Sequence, residues 1–575
     1  MRLIEIRLLE GPNLYRLEPV VKLEVAIGRR RTWYGKRDPE PWALVVLGTT
    51  VPADEQPGGV AMLADWVRRL RKDRPDGSVG PVTVHRSSDP GHWVVAFPWA
   101  QDEKARQVAE GAFELTAREI PPARGLGLRR PRALLRDRVL ARVGEARGDP
   151  PGMIHDADRR MPIISISGTN GKTTTTRLIA HILRVAGKRV GSTTSDGIVV
   201  GTNTVEQGDW TGFGGGHAIL ERDDIDIAVL ETARGGILLR GMGYESNEAS
   251  VITNVSSDHM DLQGIHTLPE LAEVKSVVAR ITKPNGWIVL NADDKYVADI
   301  ARRVRGRVAF FSVQGDDNER IRRHVRRGGR AYLLRNGVLG EAEGDTWRPL
   351  GSLADIPVVL GGAARHNVAN ALAAAGGARA MGASLEHVRA GLRSFVPTTE
   401  DSRGRLNVFR DAHRVVVVDF AHNEAGVAVL LDVVDAIARG IGVDGKKAPI
   451  SGIVGLAGDR PDDTLRGVGR LVAGRVDRLV QKEMLHYLRG RTRESVLGEI
   501  RAGALEGGWK GEIPLYIDEP TALGAELDRT EAAADPELIF LLCHEDREGV
   551  YALIAERGLK PVDDPKDLAL LVAPS

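Results

Sequence analysis

An apolar, β-branched run, Ile163-Ile-Ser-Ile-Ser, ends in Gly168-Thr169-Asn170-Gly171-Lys172-Thr173-Thr174 and hands over to the helical pattern Thr176-Arg-Leu-Ile-Ala-His-Ile-Leu. A strand that stops at a glycine turn and restarts as a helix sets backbone N–H groups and a helix dipole in front of an anion. Lys172 would reach the β- and γ-phosphates of a nucleotide, and the Thr173 hydroxyl would ligate Mg²⁺. The longer pattern Gly-x-x-x-x-Gly-Lys needs a glycine where this chain has Ile166, so the loop is a shorter variant. An ordinary βα turn that happens to hold Gly and Lys is disfavoured, because strand, turn and helix are all in place. The expected ligand is a nucleoside triphosphate.

A chain of 575 residues suggests roughly three or four domains, each with its own core. Basic and acidic side chains nearly cancel, 79 against 78, so bulk charge gives no argument for nucleic acid or an anionic membrane. No apolar run approaches the roughly 20 residues that span a bilayer. The start, Met1-Arg-Leu-Ile-Glu-Ile-Arg-Leu-Leu-Glu, alternates like a strand and lacks the apolar core of a signal peptide. Cys543 is the single cysteine, which rules out an internal disulfide and a cysteine-based metal site and reads as a buried strand residue. The expected setting is soluble and cytoplasmic, with no nucleic-acid and no membrane partner.

Residues 1–123 read as a small α/β unit, with strands near 3–9, 20–27, 42–47 and 93–97 and helices near 60–72 and 102–119. The arginine-rich stretch 124–160 reads as a linker carrying a basic helix; a docking surface for an acidic substrate is the alternative. From 161 to 396 strands alternate with helices: apolar runs at 163–166, 225–230, 250–253, 287–290 and 308–311, and helices such as 268–281. That alternation predicts a parallel sheet covered on both faces. The interval 318–348 reads as a small antiparallel insertion, and a second βα series, with strands near 415–418, 450–454 and 538–542, fills 397–575. The expected fold class is multidomain α/β: a central phosphate-loop domain on a parallel sheet and a C-terminal Rossmann-like domain, preceded by a small α/β domain.

Metal ligands for such a loop come from the carboxyl ends of neighbouring strands. The run Asp226-Ile-Ala-Val-Leu-Glu231 ends in a carboxylate, and Ser250-Val-Ile-Thr-Asn254 leads to Asp258-His259. Glu231 with Thr173 would hold one Mg²⁺, and His259 would help hold a second. Alone, each would read as a strand-end or capping residue; their place beside the loop reverses that.

Six motifs occur in order: Gly168-Thr-Asn-Gly-Lys-Thr-Thr, Glu231, Thr253-Asn254…Asp258-His259, Asn291-Ala-Asp293-Asp294, Arg365-His-Asn367-Val-Ala-Asn370 and Asp419-Phe-Ala-His422-Asn423. Over about 160–575 this order resembles the Mur ligase family of ATP-dependent amide ligases. Thr194-Ser-Asp-Gly197, Gly208-Asp-Trp-Thr-Gly212, Glu231-Thr-Ala-Arg-Gly-Gly-Ile-Leu238 and Lys482-Glu483…Leu488-Arg-Gly-Arg491 are similar to the Mur-like half of cyanophycin synthetase, as is the opening Leu9-Glu-Gly11-Pro12-Asn13. That enzyme carries an ATP-grasp module where this chain has only its linker, so the chain is not expected to make the alternating polymer by itself. The bare Gly212-Phe-Gly-Gly-Gly216 stretch, read as a loop, and Glu424 after Asn423 also depart from the family. Both fall in regions that would face the acceptor, which leaves arginine specificity open.

The resemblance implies ATP and Mg²⁺ as cofactors, amino-acid or peptide substrates, and an acyl-phosphate route with Lys172, His259 and Lys275 as catalytic groups. Lys275 would be a carbamylated lysine bridging to the second metal, or else a surface helix lysine. Gly168, Thr169, Asn170, Gly171, Thr173 and Thr174 would cradle phosphates; Asn291, Asp294 and Asn367 would hold adenine and ribose. Arg405 and Asp419 would close over ATP from the C-terminal domain, and His422, Asn423 and Arg460 would line the amine pocket. Relatives are often oligomeric, so a homo-oligomer is an analogy. The competing readings are a catalytically altered nucleotide-binding partner of a separate ATP-grasp enzyme and a phosphate-loop NTPase doing mechanical or signalling work.

Overall fold

The computed structural model describes residues 1–27, 48–119, 132–257, 263–399, 402–531, 533 and 535–572. The strand expected at 42–47 and the expected ligand His259 lie outside them.

At the N-terminus an antiparallel sheet runs in the order Arg2–Leu9, Val20–Ala26, His92–Pro98, Thr83–Arg86. Strand side chains alternate between faces, so Val21, Leu23 and Val25 all point to the helices Gly58–Asp73 and Asp102–Glu119, where they join Leu63, Val67, Val108 and Leu115 in one core. The basic helix expected in the linker is Arg132–Glu145, and it buries Val139 and Val143 in that same core.

The central domain is built on an eleven-stranded sheet. Its inner strands are parallel, in the order Arg330–Arg335, Arg307–Ser312, Thr282–Asn291, Asn247–Ile252, Ile163–Ser167, Ile227–Glu231, Val190–Thr193. Antiparallel strands close both edges: Val338–Glu343 and Thr346–Ser352 on one side, Gly197–Val200 and Asn203–Gln207 on the other. The expected insertion is therefore an extension of the main sheet rather than a separate body, since Arg330–Arg335 pairs in parallel with Arg307–Ser312. The strand Ile163–Ser167 lies between Asn247–Ile252 and Ile227–Glu231, where the chain's direction of travel across the sheet reverses. Open α/β sheets bind ligands at such a reversal, outside the carboxyl ends of the strands.

The Gly212–Gly216 stretch is not a loop. It caps and opens the helix Phe213–Leu220. Its glycines serve close packing: a Cβ on Gly215 would fall 1.9 Å from the Trp210 carbonyl oxygen.

In the C-terminal domain a seven-stranded sheet has a parallel interior, Leu515–Tyr516, Arg478–Lys482, Ile450–Val454, Glu537–Leu542, Arg414–Asp419, flanked by antiparallel Asn407–Arg410 and Lys560–Pro561. Val415 and Val417 enter one core while Val416 and Val418 enter the other, as a sheet covered on both faces requires. Among the described residues, no helix is long and apolar enough to cross a membrane.

The N-terminal domain is fastened to the central one by the segment 9–14. Glu10 N–H donates to Arg240 O (2.7 Å), Met242 N–H donates to Pro12 O (2.8 Å), and Arg280 reaches Leu14 O (3.2 Å). Gly11 is obligatory here, because a Cβ would lie 1.9 Å from the Met242 carbonyl oxygen.

Candidate active site

The phosphate loop connects Ile163–Ser167 to the helix Lys172–Val185. Gly168 (φ +151°) and Gly171 (φ +81°) take backbone conformations that favour glycine, and added Cβ atoms would strike Thr253 Oγ1 at 1.9 Å and Asn370 Oδ1 at 2.2 Å. Gly171 offers no side-chain cap, so the first-turn N–H groups of the helix remain for an anion. Neighbouring elements fix the loop's shape. Thr169 N–H donates to Asn254 O (2.8 Å), Asn170 N–H donates to Asn254 Oδ1 (2.9 Å), and Thr253 Oγ1 donates to Asn170 O (2.6 Å). Lys172 folds over the loop, its Nζ donating to Thr169 O at 2.9 Å.

Lys275 is not a surface lysine. It is 4% exposed within the helix Leu268–Arg280 and its Nζ donates to Gly168 O at 2.6 Å, behind the loop.

On the strand beside the loop, Glu231 is 3% exposed, and its Oε2 is buried with no hydrogen-bond partner among the described residues. Burial pushes its carboxyl up, against the pull of Lys172, a hydrogen bond from Thr173 and the charge of Arg405. Thr173 Oγ1 also lies 3.3 Å from Ser195 Oγ. A buried carboxylate oxygen without a donor, set among hydroxyls at a phosphate loop, has the chemistry of a hard-cation ligand. Thr173 and Glu231 therefore fit Mg²⁺.

A cavity of about 330 Å³ opens from the loop toward the C-terminal domain and is lined from both domains. Asn170, Gly171, Thr174, Asp294, Asn367, Arg405, Asp419 and His422 all face it. Several of these hold the wall in shape. Asp294 accepts from Val255 N (2.6 Å) and Tyr296 N (2.9 Å), and Asn367 bridges Val358 O (2.9 Å) and Asn370 Nδ2 (3.1 Å). Asp419 accepts from the Leu406 and Ala421 amides, each at 2.8 Å; burial raises its carboxyl while Arg405 and those amides pull it down. Asn291 stands behind the wall, donating to Thr253 O at 2.8 Å.

Arg405 lies over the Phe420 ring at 4.4 Å, and its Nη2 is 3.5 Å from Ser195 Oγ across the domain boundary. Asn423, which caps the helix Glu424–Gly440, is buried against Asn170. Arg460 is not among the residues that line the cavity; its carbonyl accepts from Arg491 at 3.2 Å.

Two cavity residues escaped the sequence reading. His366 faces the cavity with Nδ1 buried and unpartnered among the described residues, and burial pushes its imidazole down to about 4. Phe420, with Val429 and Leu430, gives an apolar face suited to a base. Both His366 and Phe420 sit inside motifs already singled out, so the signal was present but not their direction.

A phosphate loop at a sheet reversal, facing a second parallel-sheet domain across a shared cavity, defines a two-domain nucleotide-binding α/β protein. Residues 166–378 match the Mur ligase middle domain. It is 39% identical over 400 residues to the cyanophycin synthetase of Trichormus variabilis, covering 70% of this chain and 43% of that one. It is 28% identical over 468 residues to the UDP-N-acetylmuramoyl-L-alanyl-D-glutamate–2,6-diaminopimelate ligase of Parasynechococcus marenigrum, covering 78% and 84%. A crystal structure of a bifunctional folylpolyglutamate synthase/dihydrofolate synthase with Mn, AMPPNP and L-glutamate bound aligns over 69% of this chain and 89% of that one, with 18% identity and a TM-score of 0.49. The chain thus spans less than half the length of the cyanophycin synthetases it matches.

Proposed function

We propose that the chain is an ATP-dependent, ADP-forming ligase that joins a carboxylate to an amine on an amino acid or short peptide. The observation that carries this reading is the pairing of Glu231, one oxygen of which is buried without a partner among the described residues, with the Thr173 hydroxyl at a phosphate loop whose Asn170 and Gly171 line a cavity shared with a second domain. An NTPase that only binds and hydrolyses has no need of that second wall. Its likeness to cyanophycin synthetase and to Mur ligases supports amide-bond chemistry.

Joining an acid to an amine in water requires a better leaving group than hydroxide, and an acyl phosphate supplies one. The first-turn amides and Lys172 hold the phosphates, and Lys172 and Arg405 bring positive charge to the phosphoryl group in transfer. Mg²⁺, held by Thr173 and Glu231, supplies further neutralisation of phosphate charge when bound. Phe420 and the apolar wall exclude water, which protects an acyl phosphate from hydrolysis. His422, on the cavity's C-terminal wall, is the side chain assigned to the incoming amine.

The test is ADP release with Mg²⁺ across a panel of amino acids and peptides, with mass spectrometry of the products. Amine-dependent turnover with a mass equal to acid plus amine minus water supports the ligase. Tight ATP binding that no acceptor accelerates supports a nucleotide-binding partner protein instead.

A further inference from the structure

Asp196 is the meeting point of guanidinium groups from two domains. Arg177, on the phosphate-loop helix, donates from Nη2 to Oδ2 at 2.9 Å. Arg547, the first residue of the helix Arg547–Glu556 in the C-terminal domain, donates from Nη1 to Oδ1, also at 2.9 Å. Arg405 is the third group, anchored beside Asp196 through Ser195, and Arg405 and Arg547 lie over the same Phe420 ring at 4.4 and 5.1 Å. Ser195 in turn touches the Thr173 hydroxyl. Burial opposes the charge on Asp196, but Arg405, Arg177 and Arg547 hold its carboxyl below the usual range.

The placement of Arg547 is built from the interior of its own domain. Glu519, paired with Lys482 where both side chains are 0% exposed, accepts from the amides of His544 (2.6 Å), Glu545 (3.1 Å) and Asp546 (2.8 Å). That fixes the turn leading into Arg547. Gly404 clears its path, since a Cβ there would lie 2.9 Å from Arg547 Nε. This gives Gly404 a common purpose with Lys482 and Asp196, the latter two in motifs noted from the sequence.

Three cations around one carboxylate leave positive charge over. Arg177 Nη1 and Arg405 Nε are buried with no hydrogen-bond partner among the described residues, so donors remain for a further anion. We propose that Asp196 is a positioning residue that gathers Arg405 and Arg547 of the C-terminal domain against the phosphate loop, so that Arg405, together with Arg177, faces the transferring phosphoryl group. The identity of that anion rests on the ligase reading; the cross-domain positioning does not.

The experiment uses the full chain with spin labels on introduced surface cysteines of the two domains, the native Cys543 being buried. Interdomain distance distributions are measured with Mg²⁺ and a non-hydrolysable ATP analogue for the parent, Asp196→Asn, Asp196→Glu and Arg547→Gln, alongside ADP affinity and steady-state turnover. The expected result is a broadened interdomain distribution in Asp196→Asn and Arg547→Gln, with ADP affinity within about threefold of the parent and kcat down about 100-fold, the scale of a misplaced catalytic group. Asp196→Glu restores a narrow distribution and part of kcat, and the double variant Asp196→Asn/Arg547→Gln is no worse than either single one. Unchanged distances and kcat within twofold in Asp196→Asn, or additive losses in the double variant, overturn the proposal. Because the distance measurement needs no acceptor, a chain that closes on the analogue yet ligates nothing sinks the ligase reading and leaves the positioning role standing.

Discussion

Asn170 of the phosphate loop and Asn423 of the C-terminal domain exchange amide hydrogen bonds: Asn423 Nδ2 donates to Asn170 Oδ1 at 3.1 Å, and Asn170 Nδ2 donates to Asn423 Oδ1 at 3.3 Å. The same Asn423 oxygen accepts from Gly426 N–H at 2.8 Å and so starts the helix Glu424–Gly440. One side chain therefore reports the loop's position to the domain that covers it.

Replacing Asn423 by Ala removes both the cap and the amide pair. Loss of such a cap costs about 1 kcal/mol, and the loss of Asn170's amide partner adds to it. In a thermodynamic cycle with Asn170→Ala, followed by denaturant unfolding, the two changes are expected to couple by roughly 0.5–1.5 kcal/mol. Strict additivity would show that the pair is incidental.

Lys172→Ala deletes a charge set on the loop. ADP release is expected to slow by about 10²–10³, or roughly 3–4 kcal/mol of transition-state stabilisation, with melting temperature little changed. Native turnover in that variant would remove Lys172 from the chemistry.

Glu231→Gln keeps the shape of the side chain and cancels its charge. The Mg²⁺ concentration for half-maximal ADP release is expected to rise by at least about tenfold, as disturbed metal sites do, and chelation with EDTA should stop the parent reversibly. An unaltered Mg²⁺ titration would place the cation elsewhere.

His85 is expected to contribute to the acid sensitivity of the N-terminal domain. It is fully buried, with Nε2 at 2.8 Å from Thr83 Oγ1 and Nδ1 at 3.1 Å from Thr49 O. Burial pushes it down to about 4, opposed only in part by the Thr49 and Gly48 carbonyls. The unfolded chain, with an ordinary pKa near 6.5, binds the proton first. The neutral ring's contribution is therefore complete above about pH 6.5 and is lost as pH falls toward 4, on the order of 3 kcal/mol. Unfolding midpoints measured from pH 7 to 4 should decline less steeply in His85→Gln than in the parent; parallel curves would rule this out.

The loop, its strand and its helix were legible because a glycine-lysine turn between a β-branched run and an amphipathic run has few other meanings. The sheet edges were not. Asn203–Gln207 is exposed along its whole length and carries no buried alternation to read, and its partner Gly197–Val200 is too short to show a period. The resemblance nominated Asp294, Asn367 and Asp419 as nucleotide contacts; all three line the cavity, yet motif order could not show that backbone groups and a neighbouring amide already occupy their polar atoms. Arg547 was invisible to spacing, since only tertiary folding brings it to Asp196 across 351 positions. Arg460 was nominated on motif context alone, and it is not among the residues that line the cavity.

The clasp at Gly11 has a practical side. Trimming the gene to begin near residue 160 would uncover the Arg240 carbonyl and the Met242 amide together, and strip the cover from Met242, which is 3% exposed. Those groups follow the short helix that comes directly after Glu231 in the chain. A shortened gene product would leave those two backbone groups without their present partners, so whoever expresses this molecule should keep its first fourteen residues.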